Sequence, residues 1–391
     1  MDFEFTAEDD AFRAELREFL DAELPPWWNG YAAGDEAFEV VKRVVRGMAD
    51  HGWLTQAWPT EYGGQDAPIW RQMVLKEEMT AHHEPRGPQY MSLNWIGPSI
   101  MMYGTEEQKA FHLPRISRGE GFWLQGFSEP EAGSDLASMR TRAYRDGDEY
   151  IINGEKVWTS HLPRGEWIYL LARTDPDVPK HKGISVFLIP LDTPGIEAVP
   201  MVDMTGGDTH IGHVYFTDCH VPVSSRLGPE NEGWMVAVQA LQNERLGAPR
   251  YLGSLAQLEE LKEYAMKTPV NGHTLFDEPL VRQRFAQLTA EAKVAQLSYY
   301  RQVSEAATGE KTPVISSVAR IQATTSNQNV SRFTMELLGP LCDVAEEDQD
   351  WVPLDGEAGE RWSLGLVHTI VAGTLEINKN QLAQRGLGLP R

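Results

Sequence analysis

The sequence predicts an α+β protein in which a β-rich middle segment separates two helical segments. Apolar residues recur at helical spacing over residues 1–121, alternate with polar residues over residues 122–228, and return to helical spacing over residues 229–391. These segments predict an N-terminal helical domain, a central β-barrel domain and a C-terminal four-helix bundle. A chain of 391 residues is long enough to form more than one hydrophobic core.

In the N-terminal segment, apolar spacing predicts helices at residues 7–24, 35–51, 69–82 and 92–103, and a shorter helix from residue 105. Thr6 is suited to cap the first helix, and the prolines at 25 and 26 end it. The sequence TEEQK at residues 105–109 is typical of a capped first turn, with acidic side chains where the helix macrodipole favours them.

Alternation in the middle segment predicts strands at residues 122–127, 139–145, 150–158, 167–172, 184–190, 197–202 and 213–221. Turn-forming sequences separate them: DGD from residue 146, NG from residue 153, DPD from residue 175 and TPG from residue 193. Short strands at this spacing are typical of a small β-barrel. The sequence has no GxGxxG pattern, so a dinucleotide bound here would lie outside a Rossmann unit.

In the C-terminal segment, helical spacing predicts helices at residues 233–266, 278–308, 314–338 and 374–385. Residues 343–361 are acidic and poor in aliphatic side chains, and we expect them to form a loop. We find no internal repeat and no low-complexity tract, which leaves a bundle of these helices as the expected architecture.

The charge balance limits the classes of partner. A net charge of −22 argues against nucleic acid and anionic membranes as ligands. The two cysteines provide neither a disulfide framework nor a zinc pattern, and the HHE sequence at residues 82–84 is typical of a solvated helix end rather than a metal site. No apolar run approaches membrane-spanning length and the N-terminus is acidic, so we expect a cytoplasmic protein.

Two neighbouring stretches are candidates for a ligand site. Residues 128–135 read SEPEAGSD, a run of turn formers that leaves backbone N–H groups and small hydroxyls able to face a ligand. Residues 153–160 read NGEKVWTS, with an NG turn at a hairpin corner followed by an indole and two hydroxyls. A polar loop beside an indole suits a flat, partly polar heterocycle such as a flavin. The alternative is a surface hairpin with a structural tryptophan.

These motifs, in this order, resemble the acyl-CoA dehydrogenase family of flavoproteins. The resemblance covers nearly the whole chain and includes YGTEEQK at residues 103–109, NGEKVW at residues 153–158 and AGTLEI at residues 372–377. It implies the family fold and an FAD cofactor. By position, it implies flavin contacts from Phe127, Ser128, Trp158, Ser160, Thr374 and Glu376, and a contact of Ser134 with the pyrophosphate arm of CoA.

The family reaction is the removal of two hydrogens from neighbouring carbons of an acyl-CoA. A carboxylate takes the α proton, and desolvation raises its pKa toward neutrality. Many members carry that glutamate where this chain has Ala372, which retains only a backbone N–H for the thioester oxygen. Other members carry it on the first helix after the β-domain, just before an arginine. Here that position is Glu244, followed by Arg245.

The helical repeat places Glu244 on the face of Ala237 and Leu241, with Ala240 beside them. This stripe is apolar but small, and a carboxylate on it is costly unless paired or functional. We therefore predict Glu244 as the base, Arg245 as a group that positions it or the flavin, and Leu241 as a substrate contact. The alternative is a surface Glu244 in an ion pair with Arg245.

The chain departs from members with complete FAD sites. The Arg-x-x-Phe-Gly segment that reaches a neighbouring subunit's cofactor is absent from residues 267–276, and ELLGP at residues 336–340 alters a glycine-rich turn. These departures resemble the heteromeric α2β2 dehydrogenases of bacterial sterol, bile-acid and dicarboxylate catabolism. The resemblance implies a non-identical partner subunit, or otherwise a homotetramer, with a bulky or branched acyl-CoA as substrate and an electron-transfer flavoprotein as electron acceptor.

Two other functions fit the same fold. One is a flavin oxidase or monooxygenase that uses oxygen directly. The other is a non-catalytic subunit that supplies structure and part of a flavin site, which the alanine at position 372 favours and the glutamate at position 244 opposes.

Overall fold

The computed structural model describes the chain except residues 1, 2, 4, 31–33, 203, 205–210, 245–248, 310, 311, 313, 345–350 and 391. Contacts divide the chain into two compact units: residues 10–247, and residues 1–9 with 248–391. The three-domain division expected from the sequence stays a prediction.

The described part of the N-terminal segment forms α1 (Ala7–Glu23), α2 (Asp35–Asp50), α3 (Ile69–Ala81), α4 (Gln89–Met91), α5 (Gly97–Tyr103) and α6 (Glu106–Ser117). All of them except the short α4 lie close to predicted helices. The helix predicted at residues 92–103 is interrupted, because a π-helical turn at Ser92–Ile96 separates α4 from α5. The predicted cap of α6 is confirmed, since Thr105 and Gln108 form a reciprocal capping box.

Helices α1 and α3 pack through apolar and charged contacts together. Leu16 and Leu20 of α1 are fully buried. On the same helix Arg13 donates to Glu77 at 2.6 Å and to Glu78 at 2.7 Å, and both carboxylates are buried on α3. Because removing one partner of a buried ion pair costs about 3–5 kcal/mol, these contacts fix the register of α1 on α3.

The described residues of the middle segment form eight strands: β1 (Trp123–Gly126), β2 (Arg142–Asp146), β3 (Glu149–Ser160), β4 (Trp167–Arg173), β5 (Ile184–Pro190), β6 (Ile196–Met201), β7 (Ile211–Pro222) and β8 (Arg226–Leu227). They pair in the order β6-β7-β3-β2-β4-β5-β8, with β1 parallel to β4. The predicted β-rich middle domain is therefore confirmed. Among the described strands the two ends of this path do not pair, so the sheet is open where the sequence predicts a closed barrel.

The NG sequence at residues 153–154 is not a hairpin corner, contrary to the prediction. Both residues lie inside β3, where the pairing with β7 shifts register. Gly154 has φ +146°, and a Cβ there would come within 2.6 Å of Thr141 Cα. Asn153 exchanges two hydrogen bonds with Asp218, from Asn153 Nδ2 to Oδ1 at 3.1 Å and from Asp218 N to Asn153 Oδ1 at 2.9 Å. The glycine thus permits a bulge and close strand packing.

After the sheet come α7 (Gly233–Glu244), α8 (Tyr251–Lys267), a two-stranded hairpin of β9 (Pro269–Val270) with β10 (His273–Thr274), α9 (Pro279–Thr308), α10 (Ile315–Leu338), α11 (Ala358–Val367) and α12 (Leu375–Gln381). The single helix predicted at 233–266 is wrong, since α7 and α8 are separate and Pro249 lies in non-helical backbone between them. The loop predicted at 343–361 is wrong from residue 353 onward, where a 3₁₀ turn leads into α11.

Helices α8, α9 and α10 share the main core of the second unit, formed by Leu258, Leu261, Ala265, Phe285, Leu288, Ala292, Val330 and Phe333. Across the described residues, no helix is long and apolar enough to cross a membrane. In the same part of the chain no group of His, Cys, Asp and Glu side chains could hold a metal ion, and Cys219 and Cys342 are buried free thiols.

A buried histidine supports the start of β1. The ring of His112 lies 4.9 Å from Trp123 and 4.9 Å from Trp167, and the residue is 6% exposed. Burial, with the nearby Arg115 charge, lowers the pKa of His112 to about 4. The folded protein therefore keeps this imidazole neutral at pH values where the unfolded chain binds a proton, from about 6.5 downward.

We expect this histidine to make stability fall with pH. Between about pH 6.5 and 4 only the unfolded state is protonated at His112, so the free energy of unfolding decreases as pH falls. At pH 5 this contribution is about 2 kcal/mol relative to pH 7.5. The melting temperature of wild type should therefore drop more between these two pH values than that of His112→Leu. Equal drops would show that folded His112 titrates normally.

Candidate active site

Strand β1 delivers the start of the SEPEAGSD loop, residues 128–135. Phe127 is buried, with its ring 5.8 Å from that of Tyr169 on β4. Ser128 is half-buried, and its carbonyl accepts a hydrogen bond from the N–H of Val157 on β3 at 2.9 Å. The loop is thus joined to the strand that carries the second predicted motif.

A buried ion pair holds the base of this loop. Glu129 accepts from the N–H of Arg140 at 2.6 Å and of Thr141 at 2.9 Å, and from Lys156 Nζ at 2.8 Å. Lys156 has no exposed surface, and its Nζ also donates to the Phe127 carbonyl at 3.1 Å. Every charged group of the network therefore has hydrogen-bond partners, as burial requires.

Burial and pairing act in opposite directions on these two groups. Burial lowers the pKa of Lys156 to about 8 although Glu129 opposes the change. Burial raises the pKa of Glu129, but the charge and hydrogen bond of Lys156, together with the hydrogen bonds from Arg140 and Thr141, outweigh it and leave that pKa below its ordinary value. Sequence reasoning missed this pair. Its only trace in the sequence is that the glutamate and the lysine each lie inside one of the two motifs.

The tip of the loop is exposed. Glu129 and Ala132 exchange backbone hydrogen bonds at 3.1 and 3.0 Å, which closes a tight turn. Beyond it Ser134 is exposed, and Asp135 accepts hydrogen bonds from Lys180 Nζ and Ser138 Oγ, both at 2.6 Å. This part of the loop therefore presents a hydroxyl to solvent on a tethered backbone.

Trp158 lies on a second bulge of β3, between the pairs that Lys156 and Thr159 make with β7. Its φ of +62° is a left-handed backbone conformation that residues other than glycine rarely adopt. The indole is 59% exposed. Thr159 is fully buried, and its hydroxyl has no hydrogen-bond partner among the described residues. Ser160 is half-buried and ends the strand.

Helix α7 carries the predicted base. Val236, Ala237 and Ala240 are 0–1% exposed, so the face predicted to be apolar is buried there. Glu244 is the last residue of the helix. Residues 241–244 are described by their backbone alone, and Arg245 lies outside the described residues.

The turn between α11 and α12 carries the remaining predicted positions. Ala372 has φ +54° and Gly373 has φ +89°. Among the described residues the N–H of Ala372 has no hydrogen-bond partner. Thr374 caps α12 by accepting from the N–H of Ile377 at 3.1 Å, and Glu376 is exposed in the first turn, where the helix dipole favours a carboxylate.

Side chains hold this turn through its carbonyl groups. Arg320 Nη2 donates to the carbonyl of His368 at 3.0 Å and to that of Val371. Asn378 Nδ2 donates to the carbonyls of Gly373 at 3.0 Å and Thr374 at 2.9 Å. Burial, with the charges of Arg250 and Arg320, lowers the pKa of His368 to about 3. His368 therefore carries no charge near neutral pH.

Within residues 10–247, Phe127 and Ser128 lie on a segment that is hydrogen-bonded to β3, the strand that carries Trp158. Within the other unit, Ala372, Thr374 and Glu376 lie together in the turn that begins α12. An exposed indole beside small hydroxyls and a buried hydroxyl without a partner suit a flat ring with polar edges. These residues fit a flavin.

Comparison with protein families gives three matches along the chain. Residues 6–120 match the family described as "Acyl-CoA dehydrogenase, N-terminal domain", residues 125–219 its "middle domain" and residues 231–387 its "C-terminal domain". Together these matches cover most of the 391 residues.

Individual proteins are similar over the full length. The chain is 32% identical over 407 residues to "Acyl-CoA dehydrogenase FadE26" of Mycobacterium tuberculosis, with 100% of this chain and 99% of the relative covered. Among solved structures, "Tcur3481-Tcur3483 steroid ACAD" is 32% identical with a TM-score of 0.89, covering 100% of both chains. The ChsE4-ChsE5 complex from Mycobacterium tuberculosis is 33% identical with a TM-score of 0.88, also covering 100% of both chains.

Proposed function

The chain belongs to the acyl-CoA dehydrogenase family, and we propose that it catalyses FAD-dependent α,β-dehydrogenation of an acyl-CoA to the trans-2-enoyl-CoA. Membership makes it a flavin-dependent oxidoreductase; FAD as the flavin, the acyl group and the residue roles are proposed. The observation that carries the proposal is the exposed Trp158 indole, which is held in strained backbone on the strand joined to Ser128. Strain of this kind persists only where neighbouring contacts fix it, and strained residues are concentrated at functional sites.

Glu244 is proposed as the general base. It follows Ala240 by four residues and Ala237 by seven on one helix, so position 244 falls on the face that those buried alanines define. A carboxylate on such a face is desolvated, which raises its pKa toward the value that proton abstraction requires. Arg245 next to it supplies a positive charge that positions the carboxylate, and Leu241, one turn earlier, contacts the acyl chain.

Ala372 is proposed as a backbone donor. Its N–H, which has no partner among the described residues, donates to the thioester carbonyl oxygen and stabilises the negative charge that develops there when the α proton leaves. No side chain at this position is required for that interaction, so an alanine is compatible with activity when the base lies elsewhere.

The remaining site residues bind and orient the cofactor and the CoA. Phe127, Ser128, Trp158 and Ser160 would hold FAD, which supplies the hydride acceptor when bound. The resemblance assigns cofactor contacts to Thr374 and Glu376 as well. Ser134 is exposed on the tethered loop tip, where it can donate to the CoA pyrophosphate. Phe127, which is 5% exposed, would exclude water from one side of the flavin ring.

A heteromeric assembly with a second, related subunit is proposed. Two similar solved structures carry the names of protein pairs, Tcur3481-Tcur3483 and the ChsE4-ChsE5 complex. Where other members have the Arg-x-x-Phe-Gly segment, this chain has the β9–β10 hairpin, and Phe276 after it packs 5.5 Å from Phe285. Without that arginine, copies of this chain lack one cofactor contact. A stable homotetramer with one FAD per chain would contradict the proposal.

A bulky, branched or steroid-side-chain acyl group is the proposed substrate class. One similar structure is named a steroid ACAD, and a relative that is 30% identical, covering 79% of this chain and 58% of that protein, is "(2S)-methylsuccinyl-CoA dehydrogenase" of Cereibacter sphaeroides. The first name refers to a steroid, which is bulky, and the second to an acyl group with a methyl branch. The proposed electron acceptor is an electron-transfer flavoprotein.

One experiment separates this proposal from the two alternatives. The chain is purified alone and with its partner, its FAD absorbance is recorded, and it is mixed anaerobically with straight, branched and steroid-side-chain acyl-CoAs. Bleaching by one class, with slow recovery in air, supports a dehydrogenase. Rapid recovery in air would identify an oxidase, and FAD that no acyl-CoA bleaches would identify a non-catalytic subunit.

Replacing Trp158 is expected to separate cofactor binding from stability. Trp158→Gly removes a side chain from a left-handed residue and relieves a strain of about 1–2 kcal/mol, so the apoprotein should melt no lower than wild type. Loss of stacking should weaken FAD binding about 10- to 100-fold, measured as the Kd of the reconstituted apoprotein. Tyr144→Ala, which removes an aromatic ring that is 68% exposed on β2, should leave that Kd unchanged. Unaltered FAD affinity in Trp158→Gly would remove Trp158 from the site.

A further inference from the structure

The peptide group between Val371 and Ala372, in the α11–α12 turn, is hydrogen-bonded through its carbonyl but not, among the described residues, through its N–H. The carbonyl of Val371 and the N–H of Ala372 belong to the same peptide unit, and in a trans peptide these two groups point in opposite directions. Arg320 donates to the carbonyl. On the opposite side, the N–H has no partner among the described residues. The position of Arg320 therefore determines the direction in which the N–H points.

Arg320 is itself well anchored. It lies half-buried on α10, a helix of 24 residues, and its Nη2 also donates to the His368 carbonyl at 3.0 Å, three residues before Val371. One turn before it on α10, Ser317 donates to Gln381 of α12 at 3.2 Å. Helix α10 thus contacts both sides of the turn. Because Arg320 donates to two carbonyl groups of the turn, rotation of the Val371–Ala372 peptide would break a hydrogen bond.

The conformation that Arg320 holds is not the relaxed one for alanine. A φ of +54° is unfavourable for any residue with a Cβ, and such a residue persists only where neighbouring contacts fix it. A guanidinium on the carbonyl also polarises the peptide, and a polarised peptide donates a stronger hydrogen bond from its N–H. The same contact therefore both aims and strengthens the donor.

We propose that Arg320 is a positioning residue for the reaction, acting through the Val371–Ala372 peptide to direct its N–H at the thioester oxygen. The inference rests on the proposed function, in which the Ala372 N–H stabilises the developing enolate. Arg320 does not touch the substrate. Its contribution appears where charge develops on the oxygen, so it affects enolate formation more than substrate binding.

The test measures enolate stabilisation directly, using the FAD-loaded assembly and acetoacetyl-CoA, a thioester that is acidic enough to bind as its enolate. The enolate is followed by its own absorbance, without turnover. In Arg320→Gln we expect about 10- to 100-fold weaker enolate binding and a similar fall in kcat, with KM within about threefold of wild type. Arg320→Lys, which keeps the charge and a donor, should recover part of both.

Arg361→Gln is the matched control. Arg361 lies on α11, the helix that leads into the turn, and pairs with Glu260 and Glu357 rather than with the turn. It should lower the melting temperature but leave enolate binding unchanged. Enolate binding by Arg320→Gln within about threefold of wild type would overturn the inference. A wild-type enzyme that forms no enolate and is bleached by no acyl-CoA would instead overturn the proposed function itself.

Discussion

Replacing Glu244 by glutamine is expected to lower acyl-CoA turnover on the order of 10²- to 10⁴-fold, the usual contribution of a general base. The substitution preserves the size of the side chain but removes its ability to accept the α proton. FAD absorbance should stay at the wild-type level, because Glu244 is not proposed to hold the cofactor. The measurement is kcat in the purified assembly with the acyl-CoA that bleaches wild type best.

Glu232→Gln provides the matched comparison. Glu232 is an exposed glutamate immediately before α7, and substituting it should leave kcat unchanged. If Glu244→Gln retained more than about a tenth of wild-type turnover, the loss would fall below the range for a general base. The base would then lie on another residue or on the partner subunit.

Replacing Lys156 by methionine is expected to lower the free energy of unfolding by about 3–5 kcal/mol, because it leaves the buried Glu129 carboxylate without its partner. The Phe127 carbonyl loses a donor as well, so FAD content after purification should fall. Chemical denaturation and the ratio of flavin to protein absorbance give the two results. The double variant with Glu129→Gln should be more stable than the sum of the single losses predicts, by about 1 kcal/mol or more.

Lys180→Met tests the same loop with an exposed ion pair. Lys180 donates to Asp135 and its side chain is 48% exposed, so its loss should cost less than about 1 kcal/mol. Equal effects of the two lysine substitutions would contradict the role assigned to burial. A Lys156→Met protein that is destabilised but keeps its full FAD content would show that the pair stabilises the fold without positioning the cofactor loop.

Where the sequence identified elements correctly, the signal was local. Apolar spacing located α2 because this helix buries one continuous stripe that includes Val40, Val41, Val44 and Val45. Alternation located β7, along which buried residues alternate with more exposed ones. Strands β4 and β5 were located as short, continuous apolar runs, which agrees with their burial on both faces. Helix α11 was missed because it begins in the acidic stretch predicted to be a loop and contains Gly359 and Gly365, a residue type that is unfavourable in helices. Helices α7 and α8 were joined because apolar spacing continues from one to the other.

The sequence predicted which residues belong to the candidate site but not their backbone conformations or their long-range contacts. Trp158 and Ser128 were found because both lie in motifs, but the left-handed backbone that exposes the indole depends on how β3 pairs with β7. The same pairing converts the NG sequence at residues 153–154 from a turn into a bulge. The Arg320 contact joins residues 51 positions apart in the chain, and local sequence contains no signal for it.

The most direct test of the account is the mass of the thioester after one anaerobic turnover. Excess FAD-loaded enzyme is mixed with the acyl-CoA that bleaches it, and the CoA esters are analysed by mass spectrometry. We predict a product lighter than the substrate by two hydrogens, formed in an amount equal to the FAD bleached. With Glu244→Gln the same product should form on the order of 10²- to 10⁴-fold more slowly. An unchanged thioester, a product that contains added oxygen, or product formed by Glu244→Gln at the wild-type rate would contradict it.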